Sequence, residues 1–172
     1  MAMRMLEAGG LPVVTDQVRK PDIDNPGGYY EFEPVKKTKS DPSWLEAARG
    51  HAVKLVYKLL YDLPDGFQYR VLFMNRRFSE VLSSQDAMLA RKGAPVAAMD
   101  EARFTELFRA ECTRAKEWLA EQTVFEHIDV DYNEILERPQ PQVAAIDSFL
   151  GGGLDTAAMC QVVEPSLYRQ RQ

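Results

Sequence analysis

The stretch Arg70-Val-Leu-Phe-Met-Asn-Arg-Arg-Phe-Ser-Glu-Val-Leu-Ser-Ser-Gln85 constrains this chain more than any other. The apolar run Val71 to Met74 reads as a buried strand. It ends in Asn75-Arg76-Arg77, and a helical pattern begins at once with Phe78, Val81, Leu82, Gln85, Met88 and Leu89. A helix N-terminus offers unpaired N–H groups and a positive dipole end, and an arginine beside it adds a fixed charge. In open α/β sheets, ligands bind at the carboxyl ends of strands. The stretch therefore predicts an α/β fold with an anion site, and points to a phosphate-bearing ligand.

The composition suits one domain with a packed core, since 172 residues carry 45% apolar and 27% charged side chains. A net charge of −5 argues against nucleic acid as a partner. Cys112 and Cys160 are expected to be two separate buried thiols. No CxxC pair occurs and His51 and His127 are isolated, so no metal site is expected. No apolar run is long enough to span a membrane, and Met1 to Ala8 is too short and too acidic for a secretion signal. A cytoplasmic setting is expected. Oligomeric state is left open, with room for a homo-oligomer.

Along the chain, Ala2 to Ala8 reads as a helix closed by Gly9-Gly10, and Leu11 to Val14 as a short strand. Residues 15 to 42 form a long irregular stretch with the turn signal Asn25-Pro-Gly-Gly28, followed by Tyr29-Tyr-Glu-Phe-Glu33. The aromatics there argue against disorder. Ala52 to Val56 and Arg70 to Asn75 read as strands, and a helix is expected over 78–90. A long helix from about Asp100 to Glu121 follows, with Phe104, Leu107, Phe108, Cys112, Ala115 and Leu119 as its apolar stripe. Val124 to Val130 reads as a strand. Tyr132 to Leu136, Gln142 to Leu150 and Thr156 to Val163 read as helices, and Pro165 to Gln172 as a polar tail. Strands alternating with helices predict a mostly parallel sheet covered on both faces.

Spacing gives the candidate site. Ser84 falls near the apolar side of helix 78–90 and leans toward its N-terminus, where it would help Arg76 hold one phosphate group. Ser83 falls on the opposite, solvated side. Glu31 in the aromatic loop is a candidate general base. Tyr29 and Tyr30 either line a pocket or anchor their loop. Lys54, Lys58, Arg169 and Arg171 are further basic residues, the last two in a tail expected to fray. Asp129 and Asp131 are expected to cap the helix that follows them.

Arg76 eight residues before Ser84, on a strand-to-helix turn, resembles the 3′-phosphate-binding motif of PAPS-dependent sulfotransferases. The whole chain resembles bacterial sulfotransferase-family proteins of the P-loop superfamily. The matching stretches are Met5 to Val13, Asp24 to Glu33, Arg70 to Gln85 and Ser148 to Gly153. The resemblance implies a three-layer, mostly parallel P-loop-like sheet in a single domain over 1–172. It implies PAPS as cofactor, with PAP (adenosine 3′,5′-bisphosphate) as leaving group. Arg76 and Ser84 would hold the 3′-phosphate, and basic residues late in other members suggest the same duty for Arg169 and Arg171. The acceptor would be a hydroxyl or amine facing Tyr29 and Tyr30.

One departure matters. The family opens with a buried strand and a Gly-rich loop that cradles the 5′-phosphosulfate, and nothing like that loop occurs here. The chain reads as a sulfotransferase beginning one strand and one loop late, through a misplaced start or a truncation. A central sheet position is then expected to be empty, and little or no catalysis is expected from the chain as written. Two rivals stand beside this reading. One is a P-loop nucleotide kinase or NTPase relative using ATP and Mg²⁺. The other is a non-catalytic binding domain, in which Arg76→Ala would be silent.

Overall fold

The computed structural model describes residues 1–19, 28–77, Glu80 and 101–164. Helix α1 (Ala2–Ala8) leads into strand β1 (Val13–Val14). A 3₁₀ turn at Glu33–Lys37 and the short helix α2 (Trp44–Ala47) precede β2 (Ala52–Val53). A second 3₁₀ segment, Tyr57–Asp62, leads to β3 (Tyr69–Asn75). Then come α3 (Glu101–Glu121), β4 (Phe125–Asp131), α4 (Tyr132–Glu137), α5 (Pro139–Leu150) and α6 (Thr156–Gln161). The expected helix over 78–90, with Ser84, lies outside the described residues apart from the helical Glu80. So do Pro21 to Gly27 and the tail that carries Arg169 and Arg171.

The architecture is mixed α/β with two small parallel sheets. β1 pairs with β2, Val13 opposite Ala52, and β3 pairs with β4 from Tyr69 opposite Phe125 to Asn75 opposite Asp131. Among the described residues the strands form these two pairs rather than one continuous sheet, and the expected five-residue strand at Ala52 shortens to two. Val56 is 63% exposed, which explains the shortening: its side chain has no face to cover. β3 and β4 persist over seven residues because both faces are packed.

Two apolar clusters do this packing. The first joins Met5 and Leu6 of α1, Val130 of β4, Ile135 of α4, Val143 and Ile146 of α5 and Met159 of α6, with Leu72 and Ile128 against it. The second joins Phe73 and Phe125 to Leu45, Leu60, Leu63 and to Ala115 and Leu119 of α3. Leu72 and Phe73 are neighbours in sequence and belong to different clusters, as the two-residue alternation of a strand requires. Leu107, expected on the apolar stripe of α3, is instead 53% exposed. It sits about 100° around the helix from Phe108, outside the arc that Ala115 and Leu119 bury. Both cysteines are free and half-buried rather than fully buried.

Caps set the ends of the helices. Gly10 takes φ +90 after α1, its N–H donating to Glu7 O while Leu11 N–H donates to Leu6 O, which is the paired closure that favours glycine. Gly151 ends α5 at φ +105, and Arg70 Nη1 donates to the last carbonyl, Leu150 O, at 2.7 Å. Asp131 caps α4 by accepting from Asn133 N and Glu134 N. Asp129 does not cap that helix. Its side chain faces α3, where Lys116 Nζ approaches at 2.5 Å.

The Lys116–Asp129 pair makes an acid-sensitive tie between α3 and β4. Burial would raise the Asp129 pKa, but hydrogen bonds from Lys116 and Asn75 outweigh it and leave the group below its ordinary value. A carboxyl depressed in the folded state adds stability above its unfolded pKa, about 3.9, and loses it as pH falls through the folded value. Asp129→Asn is expected to flatten the acid limb of a urea-midpoint profile between pH 7 and pH 3. An unchanged acid limb would show that the pair contributes nothing.

Candidate functional site

The carboxyl ends of β3 and β4 gather the polar side chains. Asn75, the last residue of β3, donates from Nδ2 to Asp129 Oδ1 at 2.9 Å and accepts from Lys116 Nζ at 3.0 Å. The next residue, Arg76, is held on two sides. Its Nε donates to Glu80 Oε2 at 3.1 Å, and its guanidinium lies 4.7 Å from the centre of the Tyr132 ring. Glu80 is 1% exposed and also accepts from Asn133 Nδ2 at 2.9 Å. Arg77 sits at the rim, its backbone N–H directed to Asn133 Oδ1 at 3.4 Å and its Nη1 4.0 Å from Glu80 Oε1.

This arrangement positions a guanidinium. A carboxylate on Nε sets the plane and a ring on one face limits rotation. The two terminal nitrogens of Arg76 have no other hydrogen bond among the described residues. They form the fork that suits two oxygens of a phosphate or sulfate. Burial raises the Tyr132 pKa, opposed by Arg76, so the ring beside the arginine stays a neutral phenol.

A cavity of about 1270 Å³ reaches this point and is lined by Arg76, Tyr132, Tyr29 and Tyr30 among others. The structure therefore brings three residues singled out in the sequence, Arg76, Tyr29 and Tyr30, to one cavity. Tyr30 adopts φ +51, uncommon for a bulky residue, and its hydroxyl donates to Glu7 Oε2 at 2.5 Å. Burial and the Glu7 bond push its pKa up to about 12. Tyr30 is thus a hydrogen-bond group and not a base near neutral pH. Tyr29 carries the Arg19 guanidinium 3.3 Å from its ring centre, and its carbonyl accepts from Lys54 Nζ at 2.8 Å.

No family model, curated protein or solved structure matches this chain. The site's own geometry is therefore the ground for any functional reading.

Glu31 is not among the cavity residues. Its carboxylate pairs with Arg19 at 3.2 Å, and its carbonyl accepts from Thr15 Oγ1 and Asp16 N. Those bonds stitch the aromatic loop to the segment after β1. Asp16 tightens the same seam, since its Oδ2 accepts from Glu33 N at 2.7 Å. Lys54 lines the cavity, and burial lowers its pKa, with Glu31 opposing. Lys58 pairs with Glu111 at 3.2 Å, and Tyr57 donates to the same carboxylate. Glu80, Tyr132 and Asn133 were not singled out by sequence reasoning. Arg76 and Glu80 stand four residues apart, the spacing of a helical ion pair, and that was the one readable signal. Tyr132 and Asn133 reach the site only through the pairing of β4 with β3.

Proposed function

We propose that this domain binds the 3′-phosphate of an adenosine 3′,5′-bisphosphate cofactor through Arg76, the recognition step of PAPS-dependent sulfuryl transfer to a hydroxyl or amine acceptor, with little or no turnover by the 172 residues themselves. The observation that carries the reading is the Arg76 guanidinium at the carboxyl end of β3, oriented by Glu80 and Tyr132 with its terminal nitrogens unengaged among the described residues. Tyr29 and Tyr30 line the same cavity, which supports assigning them to the acceptor side. On this reading the β1–β2 and β3–β4 pairs are parts of one three-layer P-loop-like sheet, with helices against both faces of β3–β4.

The division of labour follows from charge. Arg76 would fix the nucleotide end of the cofactor and not the reacting sulfuryl group. Neutralising the latter falls to a Gly-rich loop, which the 172 residues do not contain. Cofactor recognition and turnover are therefore separable in this chain, and recognition is the property to measure.

The test is calorimetric titration with adenosine 3′,5′-bisphosphate and with 5′-AMP, which lacks the 3′-phosphate. Preference for the bisphosphate of at least about tenfold is expected, since a charge-assisted arginine–phosphate contact contributes about 1.5–3 kcal/mol. Arg76→Ala is expected to erase that preference. Equal binding of the two nucleotides, no binding of either, or an Arg76→Ala variant that keeps the preference would overturn the reading.

A further inference from the structure

Tyr30 holds an uncommon backbone conformation beside the cavity. Its φ of +51 lies in the left-handed region, where a Cβ crowds the following carbonyl. A bulky residue stays there only when its surroundings over-determine it, and such residues cluster at active sites and ligand clamps. The chain on either side of Tyr30 is tied down. The Tyr29 carbonyl accepts from Lys54 Nζ at 2.8 Å. The Glu31 carbonyl accepts from Asp16 N at 3.0 Å and from Thr15 Oγ1 at 3.1 Å. The Tyr30 side chain makes the third tie, its hydroxyl donating to Glu7 Oε2 at 2.5 Å.

Glu7 is itself held in place by α1. Met5 and Leu6, just before it, are buried in the first apolar cluster, while Glu7 lies on the exposed side of the helix. Arg4, one turn earlier, pairs with Glu164 at 2.7 Å. Tyr30 lines the cavity, and Glu7 is not among the described residues that do. The carboxylate therefore reaches that space only through the phenol.

The direction of this bond decides what Tyr30 can offer. A phenol has one proton to donate and lone pairs that accept. A carboxylate that takes the proton leaves only the lone pairs. Donation to a charged group also polarises the hydroxyl and makes its oxygen a stronger acceptor. A site built to hydrogen-bond a ligand hydroxyl rejects the analogue that lacks it, because the site's own polar group is then left unpaired.

We infer that Glu7 is a positioning residue that fixes Tyr30 as a hydrogen-bond acceptor, so that the cavity selects ligands presenting an O–H or N–H over ligands of the same shape that present neither. The inference rests on the acceptor-side assignment of Tyr30 made above and deepens it: the group that Tyr30 binds is the acceptor's own hydroxyl or amine.

The test is fluorescence titration of the 172-residue protein at pH 7 with 2-naphthol and with its methyl ether, which keeps the apolar body and loses the donor. Naphthol is expected to bind at least about fivefold more tightly, the effect of one hydrogen bond to a polarised oxygen. Tyr30→Phe is expected to bring that ratio to about one. Glu7→Ala is expected to reduce it as well, by weakening naphthol and not the ether, because the freed phenol can then turn its proton to the ligand. Glu7→Gln keeps a carbonyl acceptor for the phenol and is expected to retain most of the ratio. Equal binding of the two probes to the parent protein, or failure of both to bind, would overturn the inference. So would a ratio that survives Tyr30→Phe, or a Glu7→Ala variant that loses both probes alike, which would make Glu7 a loop anchor only. The bisphosphate preference is read separately, in the titration with adenosine 3′,5′-bisphosphate and 5′-AMP. A naphthol preference without a bisphosphate preference would support the Tyr30–Glu7 pair and sink the cofactor reading, whereas the reverse result would sink this inference alone.

Discussion

Replacing Glu80 with alanine is expected to cost about 3 kcal/mol of folding stability, the loss seen when one partner of a buried ion pair is removed and the other stays. Glu80 is 1% exposed and gathers Arg76 Nε, Asn133 Nδ2 and, at longer range, Arg77 around one carboxylate. Alanine would leave the Arg76 guanidinium and the buried Asn133 amide without that carboxylate, so the desolvation of both groups would go uncompensated. Glu80→Gln keeps the shape and one acceptor, and should lose less, about 1–2 kcal/mol. Urea unfolding at pH 7 checks both, since a lower midpoint at unchanged slope reports stability alone. An alanine variant within about 0.5 kcal/mol of the parent would show that the carboxylate holds nothing in place. Glu80→Gln also separates folding from orientation. If Glu80 sets the plane of Arg76, the glutamine variant should remain folded and lose part of the preference for the 3′-phosphate, although Arg76 itself is intact.

Met159→Ala is expected to destabilise by about 3 kcal/mol, within the 2–5 kcal/mol range for truncating a buried methionine. Met159 is 0% exposed and belongs to the cluster that ties α6 to α1, α5 and β4. Its neighbour just past the end of α1 is Gly9, where an added Cβ would stand 2.8 Å from Met159 Cγ and 2.9 Å from Sδ. Gly9→Ala alone should therefore cost about 1–3 kcal/mol through overpacking. The two changes are coupled, because alanine at position 159 vacates the space that a Cβ at position 9 would enter. The double variant should lose clearly less than the sum of the two single losses, by about 1 kcal/mol or more. Strict additivity would mean that α1 and α6 do not meet at this point. The backbone ties the same two elements together, since Asp155 N–H donates to Gly9 O at 3.0 Å just where α6 begins.

Much of the framework was legible because it rests on local physics. The continuous run Val71 to Met74 and the segment Val124 to Val130 read as strands, and they are β3 and β4, since apolar side chains cover both faces of that pair. Glycines marked the end of α1, and Asp131 capped α4 as an aspartate after a strand should. The long helix ran from Glu101 to Glu121 as its periodicity required. Local rules failed where tertiary partners decide. Asp129 and Asp131 look alike in sequence, yet only Asp131 faces a helix N-terminus, while Asp129 turns to Lys116 across the α3–β4 packing. Leu107 fits the helical stripe but lies beyond the arc that the second cluster covers.

The same division holds for the candidate site. The residue order alone placed a positively charged side chain at the end of a strand, because an apolar run followed at once by Asn75-Arg76-Arg77 has to break out of the sheet there. It placed an aromatic loop before the second strand. It also predicted parallel pairing, through strands alternating with helices. Only the tertiary structure decided that Arg76 is clamped by Glu80 and Tyr132, residues 4 and 56 positions away, and that Tyr29 and Tyr30 line the same cavity. Only it showed that Ala52, Val53 and every residue of β3 border that cavity as well. The physical reason is one of range. Backbone pairing, capping and amphipathic period act over a few residues and are written in local spacing. The partner of a buried charge and the neighbour of a strand edge depend on which distant segments the packed core brings together.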